Sequence, residues 1–239
     1  MDILSSLAVV ILAALIHSSF QLSVSVLTLL SGRAMGSRKS NNRVLQLTTS
    51  FVSGAAFITL LLLSTIALVI GQLTSNDPPQ IVWAIACGLM VGVGLAVWIF
   101  YYRSGPGNRE GTSLWIPRYF ADFLATRTKL TKSSPEAFSL GVATVISELL
   151  FIIAPLFIAA LALVRLDPTW QLPGIALYAL ISLMSLMIAW GLIGSGHSLS
   201  SIQRWREANK RFLQFSAGAG LFILAIFTYV YEIMGSYAS

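Results

Sequence analysis

The chain has 239 residues, of which 56% are hydrophobic and only 10% are charged. Soluble globular domains carry about 25% charged residues, so this composition excludes an ordinary soluble fold and indicates a membrane protein with several spans. The net charge of +6 does not indicate nucleic-acid binding, because the basic residues follow the loops instead of forming one clustered face. We therefore expect a lipid bilayer as the surroundings and no nucleic acid as a partner.

Six long apolar segments follow one another along the chain, and each is long enough to cross a bilayer, which takes about 20 residues. They cover 3–30, 44–73, 80–102, 137–164, 173–196 and 212–235. The first segment lacks the basic start of a signal peptide and stays apolar to Leu30, so we expect it to be retained as a helix. The pattern predicts an all-α polytopic membrane protein with six transmembrane helices.

The basic residues are distributed so unequally between the connections that they predict an orientation. The first, third and fifth connections carry 14 of the 15 Lys and Arg residues, and Arg165 in the fourth is the exception. Asp77 and Glu232 fall on or near the opposite face. Loops rich in Lys and Arg stay in the cytoplasm. We therefore predict both termini outside the cytoplasm, in a membrane of the prokaryotic inner-membrane type.

Three spans precede the long third connection and three follow it. An odd number of spans in each half places the halves in opposite orientations, which is the layout of an inverted repeat. We divide the chain into a first three-helix half at 1–102, a cytoplasmic connector at 103–136 and a second three-helix half at 137–239.

The connector contains a segment with helical periodicity at 114–130. Its apolar residues share one broad face opposite Arg118, Asp122 and Lys129. These apolar residues are Ile116, Tyr119, Phe120, Phe123, Leu124 and Leu130. A helix with this pattern lies flat in the membrane interface. It is either a membrane-bound connector or a docking and gating element.

Polar residues form a stripe along the first span, with His17, Gln21, Ser25 and Thr28 spaced by four, four and three residues. This spacing places them on one helix face. The neighbouring serines Ser18, Ser19 and Ser23 widen that face. Such polar side chains either line a polar interior or simply bond to neighbouring helices.

The fourth span carries the one deep carboxyl of the chain, Glu148, with Thr144 and Ser147 beside it. A carboxyl at the bilayer centre costs roughly 2.5–3.5 kcal/mol on insertion scales, and such groups face the protein interior or a water-filled cavity. His17 is the candidate partner, because no Lys or Arg lies deep in any span. We predict a substrate- and proton-binding site. Its residues are His17, Gln21, Ser25, Thr144, Ser147 and Glu148.

Pro155 lies two turns after Glu148 in the same span. Proline lacks an N–H and crowds the carbonyl four residues earlier, so the pattern predicts a kink at this position. A kink next to the carboxyl would suit a helix that moves, although kinks also occur in static helices.

The third span carries small residues every four positions at Ala84, Gly88 and Gly92. This spacing is typical of a close-packing seam between helices. The seam would lie within the chain or between copies in a homo-oligomer.

No constellation of catalytic residues stands out in the sequence. The two histidines are far apart, Cys87 is the one cysteine, and the acidic residues are scattered. These spacings match no recognised metal site or nucleophile–base motif. We therefore expect no metal, no cofactor and no enzymatic activity.

Two stretches resemble the LysE superfamily of six-span transporters, namely SLGVATVISELLFIIAPLFIAAL at 139–161 and KRFLQFSAGAGLFILAIF at 210–227. The resemblance implies a three-plus-three inverted repeat and export of a small organic solute or an amino acid. Two departures from the patterns of related transporters narrow the substrate class that the resemblance implies. Cys87 stands alone where thiol-electron carriers of related architecture have a cysteine in each half. His17 stands where cation exporters of the related type have an acidic motif.

The leading hypothesis is a secondary transporter, in particular a proton-coupled exporter. Glu148 would be the protonatable group, His17 its partner or a second proton acceptor, and Gln21, Ser25 and Thr144 the contacts to substrate or water. The alternatives are a membrane scaffold that binds a partner through the 114–130 helix or the Gly88 seam, and an oligomeric channel.

Overall fold

The computed structural model describes residues 3–20, 23–34, 41–102, 118–195, 204–205 and 208–234, and the regular structure in these ranges is entirely helical. The α-helices are α1 (Ile3–Ser19), α2 (Ser23–Ala34), α3 (Asn41–Thr74), α4 (Gln80–Ala96), α5 (Arg118–Leu130), α6 (Ser134–Val164), α7 (Pro168–Ser182), α8 (Met184–Gly194) and α9 (Lys210–Thr228). Two of them continue as π-helical segments, α4 into Val97–Tyr102 and α9 into Tyr229–Met234. The all-helical class is therefore confirmed.

Within the described ranges, four helices are long and apolar enough to cross a membrane. They are Asn42–Thr74, Gln80–Phe100, Ser134–Val164 and Arg211–Met234. The count rises to six if each of two bent pairs is one span, α1 with α2 at 47° and α7 with α8 at 58°. These apolar helices indicate a membrane location, and the predicted six crossings correspond to the upper count.

The first predicted span is not one straight helix. Phe20 forms a turn after α1, in which its N–H donates to the carbonyl of His17 at 3.0 Å, and the Ser19 hydroxyl donates to the carbonyl of Ile16 at 2.6 Å. The other bent pair has the same feature, since the Ser182 hydroxyl donates to the carbonyl of Ala179 at 3.2 Å. Serine hydroxyls that bond to the preceding turn compete with the helical ladder and bend helices. The continuous helix expected over 3–30 is therefore corrected to two helices.

Helix α6 lies at the centre of the molecule. Its apolar window is 67% buried, against 33–39% for the other three long helices. It is closest to α3, because a Cβ added at Gly54 would lie 2.1 Å from the carbonyl oxygen of Phe138, and one at Gly141 would lie 2.1 Å from that of Phe51. Glycine at these two positions lets the two backbones touch, as small residues do in membrane helix pairs.

The line of Ala84, Gly88 and Gly92 does not form a seam within the described part of the chain. All three residues are exposed, and a Cβ added at Gly88 or Gly92 would meet nothing within 4 Å. The buried face of α4 is offset from this line by two residues and includes Met90 and Gly94. Two residues correspond to about 200° around a helix. Association between copies through the exposed line stays a prediction.

Helix α5 occupies 118–130, and the start of the predicted 114–130 segment lies outside the described residues, as do the side chains of Tyr119 and Phe120. The observed face is mixed, because Leu124 is buried whereas Phe123 and Leu130 are exposed. Asp122 and Lys129 are also exposed, as expected for the polar side.

Helix α6 continues as one helix through Pro155, which is buried. The missing N–H of the proline removes the helical bond to the carbonyl of Phe151. The predicted kink at this position stays a prediction.

Candidate functional site

His17 lies in the last turn of α1, and its ring faces α7. Its Nδ1 lies 2.9 Å from the hydroxyl of Tyr178, and the exposed fractions of the two residues are 1% and 0%. Next to it, the hydroxyl oxygens of Ser18 and Ser185 are 3.0 Å apart. Ser18 lies in the last turn of α1 and Ser185 in the first turn of α8. The break in one bent pair therefore contacts the break in the other.

Glu148 projects from α6 onto the first residue of α2. Its Oε1 accepts hydrogen bonds from the backbone N–H of Ser23 at 2.8 Å and from the Ser23 hydroxyl at 2.9 Å. The first N–H groups of a helix have no partner inside the helix, and they carry a partial positive charge. The carboxylate of Glu148 thus caps a helix that begins beside it in the interior of the protein.

This cap explains how the chain tolerates a buried carboxyl, because Glu148 is only 1% exposed. Hydrogen bonds to an ionised acceptor are roughly twice as strong as neutral ones, and the dipole of α2 adds a favourable field. His17 and Glu148 take separate partners, Tyr178 and Ser23. These two contacts lie on either side of the helix break, and the interaction expected between the imidazole and the carboxylate stays a prediction.

The other predicted site residues divide into three groups. Gln21 lies outside the described residues. Ser25 is buried in α2. Thr144 and Ser147 donate their hydroxyls to their own helix, to the carbonyls of Leu140 and Ala143, each at 2.7 Å. Both hydroxyl protons are thus used in bonds within α6, and the hydroxyl oxygens can still accept a hydrogen bond.

Sequence reasoning missed the role of Tyr178 and the capping role of Ser23. Tyr178 lies among apolar residues in α7 and carries no charge or motif that would single it out. Ser23 was part of the predicted polar face, but its N–H becomes available only because a new helix starts there. The group of serines at the end of α1 and the start of α2 is the sequence feature that could have indicated a helix break, and with it both contacts.

The site is closed in this conformation. The exposed fractions of His17, Tyr178 and Glu148 do not exceed 1%, so bulk solvent does not reach them. A separate cavity of about 580 Å³ opens between α3, α6 and α7. Gln72, Asn76 and Gln171 supply amide groups to its lining.

An ion cluster joins three parts of the chain near the ends of α6 and α9. The Arg165 guanidinium donates a hydrogen bond to the carboxylate of Glu232 and lies 3.6 Å from that of Asp77. It also lies over the ring of Trp83, 5.5 Å from the centroid. Glu232 was expected at a membrane boundary, and its exposed fraction is 5% where it pairs with Arg165.

Comparisons with protein-family models, with curated proteins and with solved structures returned no significant match. The resemblance to the LysE superfamily stays a hypothesis drawn from the sequence. Among the residues that the structure describes, no three His, Cys, Asp or Glu side chains are grouped so that they could hold a metal ion.

Proposed function

We propose that the chain is a secondary transporter in which protonation of Glu148 controls the break between α1 and α2. The observation that carries this proposal is the pair of hydrogen bonds from Ser23 to Glu148 at the first turn of a helix inside the protein. Discontinuous helices with termini directed at charged groups are typical of the binding sites of secondary transporters.

The carboxyl and the helix terminus supply a simple coupling step. Ionised Glu148 accepts both Ser23 bonds and interacts favourably with the α2 dipole. Once a proton binds to the carboxylate, the negative charge is lost and both interactions weaken. Helix α2 is then freer to move relative to α6, and the contacts of Ser18 with Ser185 and of His17 with Tyr178 lie where that movement would open the interior.

The proposal includes six spans in a three-plus-three inverted repeat, with both termini outside the cytoplasm. It is supported by the π-helical segments, which end the third and the sixth predicted spans. These are equivalent positions in the two halves. The bent pairs form the first and fifth spans, which are not at equivalent positions in the two halves. The two halves would therefore share the order and the inverted orientation of their spans, but not the position of the helix break.

A small organic solute or an amino acid is the proposed substrate class. The cavity between α3, α6 and α7 presents amide groups and the hydroxyl of Ser75, and its lining contains no Lys, Arg, Asp or Glu side chain among the described residues. Such a lining hydrogen-bonds to a solute without selecting for a net charge.

Reconstituted vesicles test the proposal directly. We expect that an imposed gradient of one member of a panel of amino acids and small organic solutes changes the internal pH, as reported by an entrapped pH-sensitive dye. Glu148→Gln should abolish the change, because the amide cannot take up the proton. Thr59→Val, which removes a buried hydroxyl in α3 that bonds to its own helix, should not.

A scaffold without transport is the second candidate, and the burial of the site favours it. With exposed fractions of 1% or less at His17, Tyr178 and Glu148, the contacts would serve packing alone. Glu148→Gln would then lower stability and leave the ion permeability of vesicles unchanged. Unaltered solute-driven pH changes in Glu148→Gln vesicles would contradict the transporter proposal.

A further inference from the structure

A groove runs between α5 and the first turns of α6, with a volume of about 430 Å³. We call it the α5–α6 groove. Residues from both helices line it, including Phe123, Arg127, Leu130, Glu136, Leu140 and Ala143. Glu148 is not among the lining residues, so a ligand in this groove would be independent of the transport proposal.

The groove has a polar end and an apolar end. Glu136 lies in the first turn of α6, whereas Leu140 and Ala143 lie one and two turns deeper in the same helix. Seven residues of helix correspond to about 10 Å. The groove therefore leads from a charged boundary into the apolar part of α6, which is the polarity profile of one phospholipid molecule from headgroup to acyl chain.

Arg127 supplies a cation to the lining of the groove. Its guanidinium carbon lies over the Phe123 ring, 5.5 Å from the centroid. The N–H groups of a guanidinium lie in its plane, and they match the oxygens of a phosphate in a two-pronged geometry.

Glu136 supplies an anion in the same groove. Its Oε2 accepts the backbone N–H groups of Lys132 at 2.7 Å and Ser133 at 3.1 Å. Together with Ser133 it forms a capping box at the start of α6. Hydrogen bonds to the charged form keep this carboxyl ionised, so the groove offers one positive and one negative side chain beside an apolar wall.

We propose that the α5–α6 groove binds a zwitterionic aminophospholipid, with the phosphate at Arg127, the primary ammonium at Glu136 and an acyl chain along Leu140 and Ala143. A purely anionic headgroup would leave Glu136 facing a like charge. A quaternary ammonium carries no N–H to donate to the carboxylate. An ethanolamine headgroup matches both side chains.

The test uses the full-length protein in detergent, titrated with phosphatidylethanolamine, phosphatidylcholine and phosphatidylglycerol of identical acyl chains, with bound lipid counted by native mass spectrometry. We expect phosphatidylethanolamine to bind about fivefold more tightly than either other lipid, which corresponds to one modest ion pair. Arg127→Gln should weaken phosphatidylethanolamine and phosphatidylglycerol alike. Glu136→Gln should remove the preference for phosphatidylethanolamine and leave phosphatidylglycerol as tight or tighter.

The substitutions are chosen to keep the fold intact. Glutamine also serves in a capping box, so Glu136→Gln removes the charge and keeps the helix start. Lys129→Gln is the matched control, because it removes a positive charge from the same helix two residues away, outside the groove lining. It should leave the lipid preference unchanged.

Three results would overturn the proposal. Equal binding of the three lipids would indicate a non-selective lipid shell. A preference for phosphatidylglycerol that Glu136→Gln does not alter would indicate an anionic-lipid site. Binding of soluble glycerophosphoethanolamine as tightly as the intact lipid would indicate a small-solute site without a role for the acyl chain.

Discussion

At Glu148, two short hydrogen bonds connect a single side chain to the start of a helix from another part of the chain. The donor residue, Ser23, supplies both its N–H and its hydroxyl, so two donors converge on one carboxylate oxygen. A carboxyl in this position is stabilised when ionised and loses that stabilisation when protonated. The same residue thus accounts for the structure of the break and for its proposed sensitivity to protons.

Removal of the Ser23 hydroxyl should lower stability measurably. We expect Ser23→Ala to cost about 1.5–3 kcal/mol, the range for hydrogen bonds to charged groups, as measured by denaturant unfolding of the purified protein in detergent. Ser31→Ala in the same helix is the control, since that hydroxyl donates to the carbonyl of Thr28 in its own helix. Equal losses for the two variants would show that the bond to Glu148 contributes nothing particular.

At the scale of helices, glycine decides which elements touch. Gly54 and Gly141 bring α3 and α6 into backbone contact, whereas Gly88 and Gly92 lie on a face of α4 that meets nothing within 4 Å. The sequence marks the second pair by a regular spacing of four residues and leaves the first pair unmarked, because those glycines come from two different helices. Regularly spaced small residues within one helix indicate a smooth surface. Whether another helix packs against that surface depends on the tertiary arrangement.

Glycine-to-alanine substitutions separate these two surfaces. We expect Gly54→Ala to destabilise the protein by about 1–3 kcal/mol, the usual cost of overpacking, because its Cβ would collide with the Phe138 carbonyl. Gly88→Ala should be neutral or stabilise by up to about 1 kcal/mol, because alanine favours the helix. Thermal unfolding in detergent compares them, and a larger loss for Gly88→Ala would contradict the described packing.

The breaks between α1 and α2 and between α7 and α8 show where sequence reasoning reached its limit. Apolar length correctly predicted the helical class and the membrane location, because a helix that is apolar on all sides lies either in a protein core or in a membrane. Serines occur in straight spans as well as at helix breaks, so their presence in the sequence did not predict the breaks. The partner of Glu148 could not be predicted, since it is the terminus of a helix that exists only because the span is broken.

Across the whole molecule, the Arg165 cluster connects parts that are far apart in the chain. Asp77 follows α3, Arg165 directly follows α6 and Glu232 lies in the segment after α9. The Glu232 side chain is 4% exposed and that of Arg165 is 28% exposed, so the pair is largely shielded from water. Such a cluster holds one end of the helix bundle together, on the side opposite to the basic connections in the predicted topology.

Removal of one charge of the Arg165–Glu232 pair should therefore lower the free energy of unfolding more than removal of both charges. We expect Arg165→Gln to lower the free energy of unfolding by about 1–3 kcal/mol, less than for a fully buried pair because Arg165 is partly exposed. The double variant Arg165→Gln/Glu232→Gln should recover part of the loss, because the amide pair leaves no buried charge without its counter-ion. Unfolding in detergent measures both, and additive losses would argue against a coupled pair.

The most direct test of the proposed coupling is the distance between α2 and α6 as a function of pH. Spin labels at Leu29→Cys and Leu150→Cys, both exposed positions, in a Cys87→Ser background report it by pulsed electron paramagnetic resonance. The account predicts different distance distributions in acidic and alkaline buffer, and it predicts that Glu148→Gln keeps the acidic distribution in both. A distribution that is identical at the two pH values and unaffected by Glu148→Gln would contradict it.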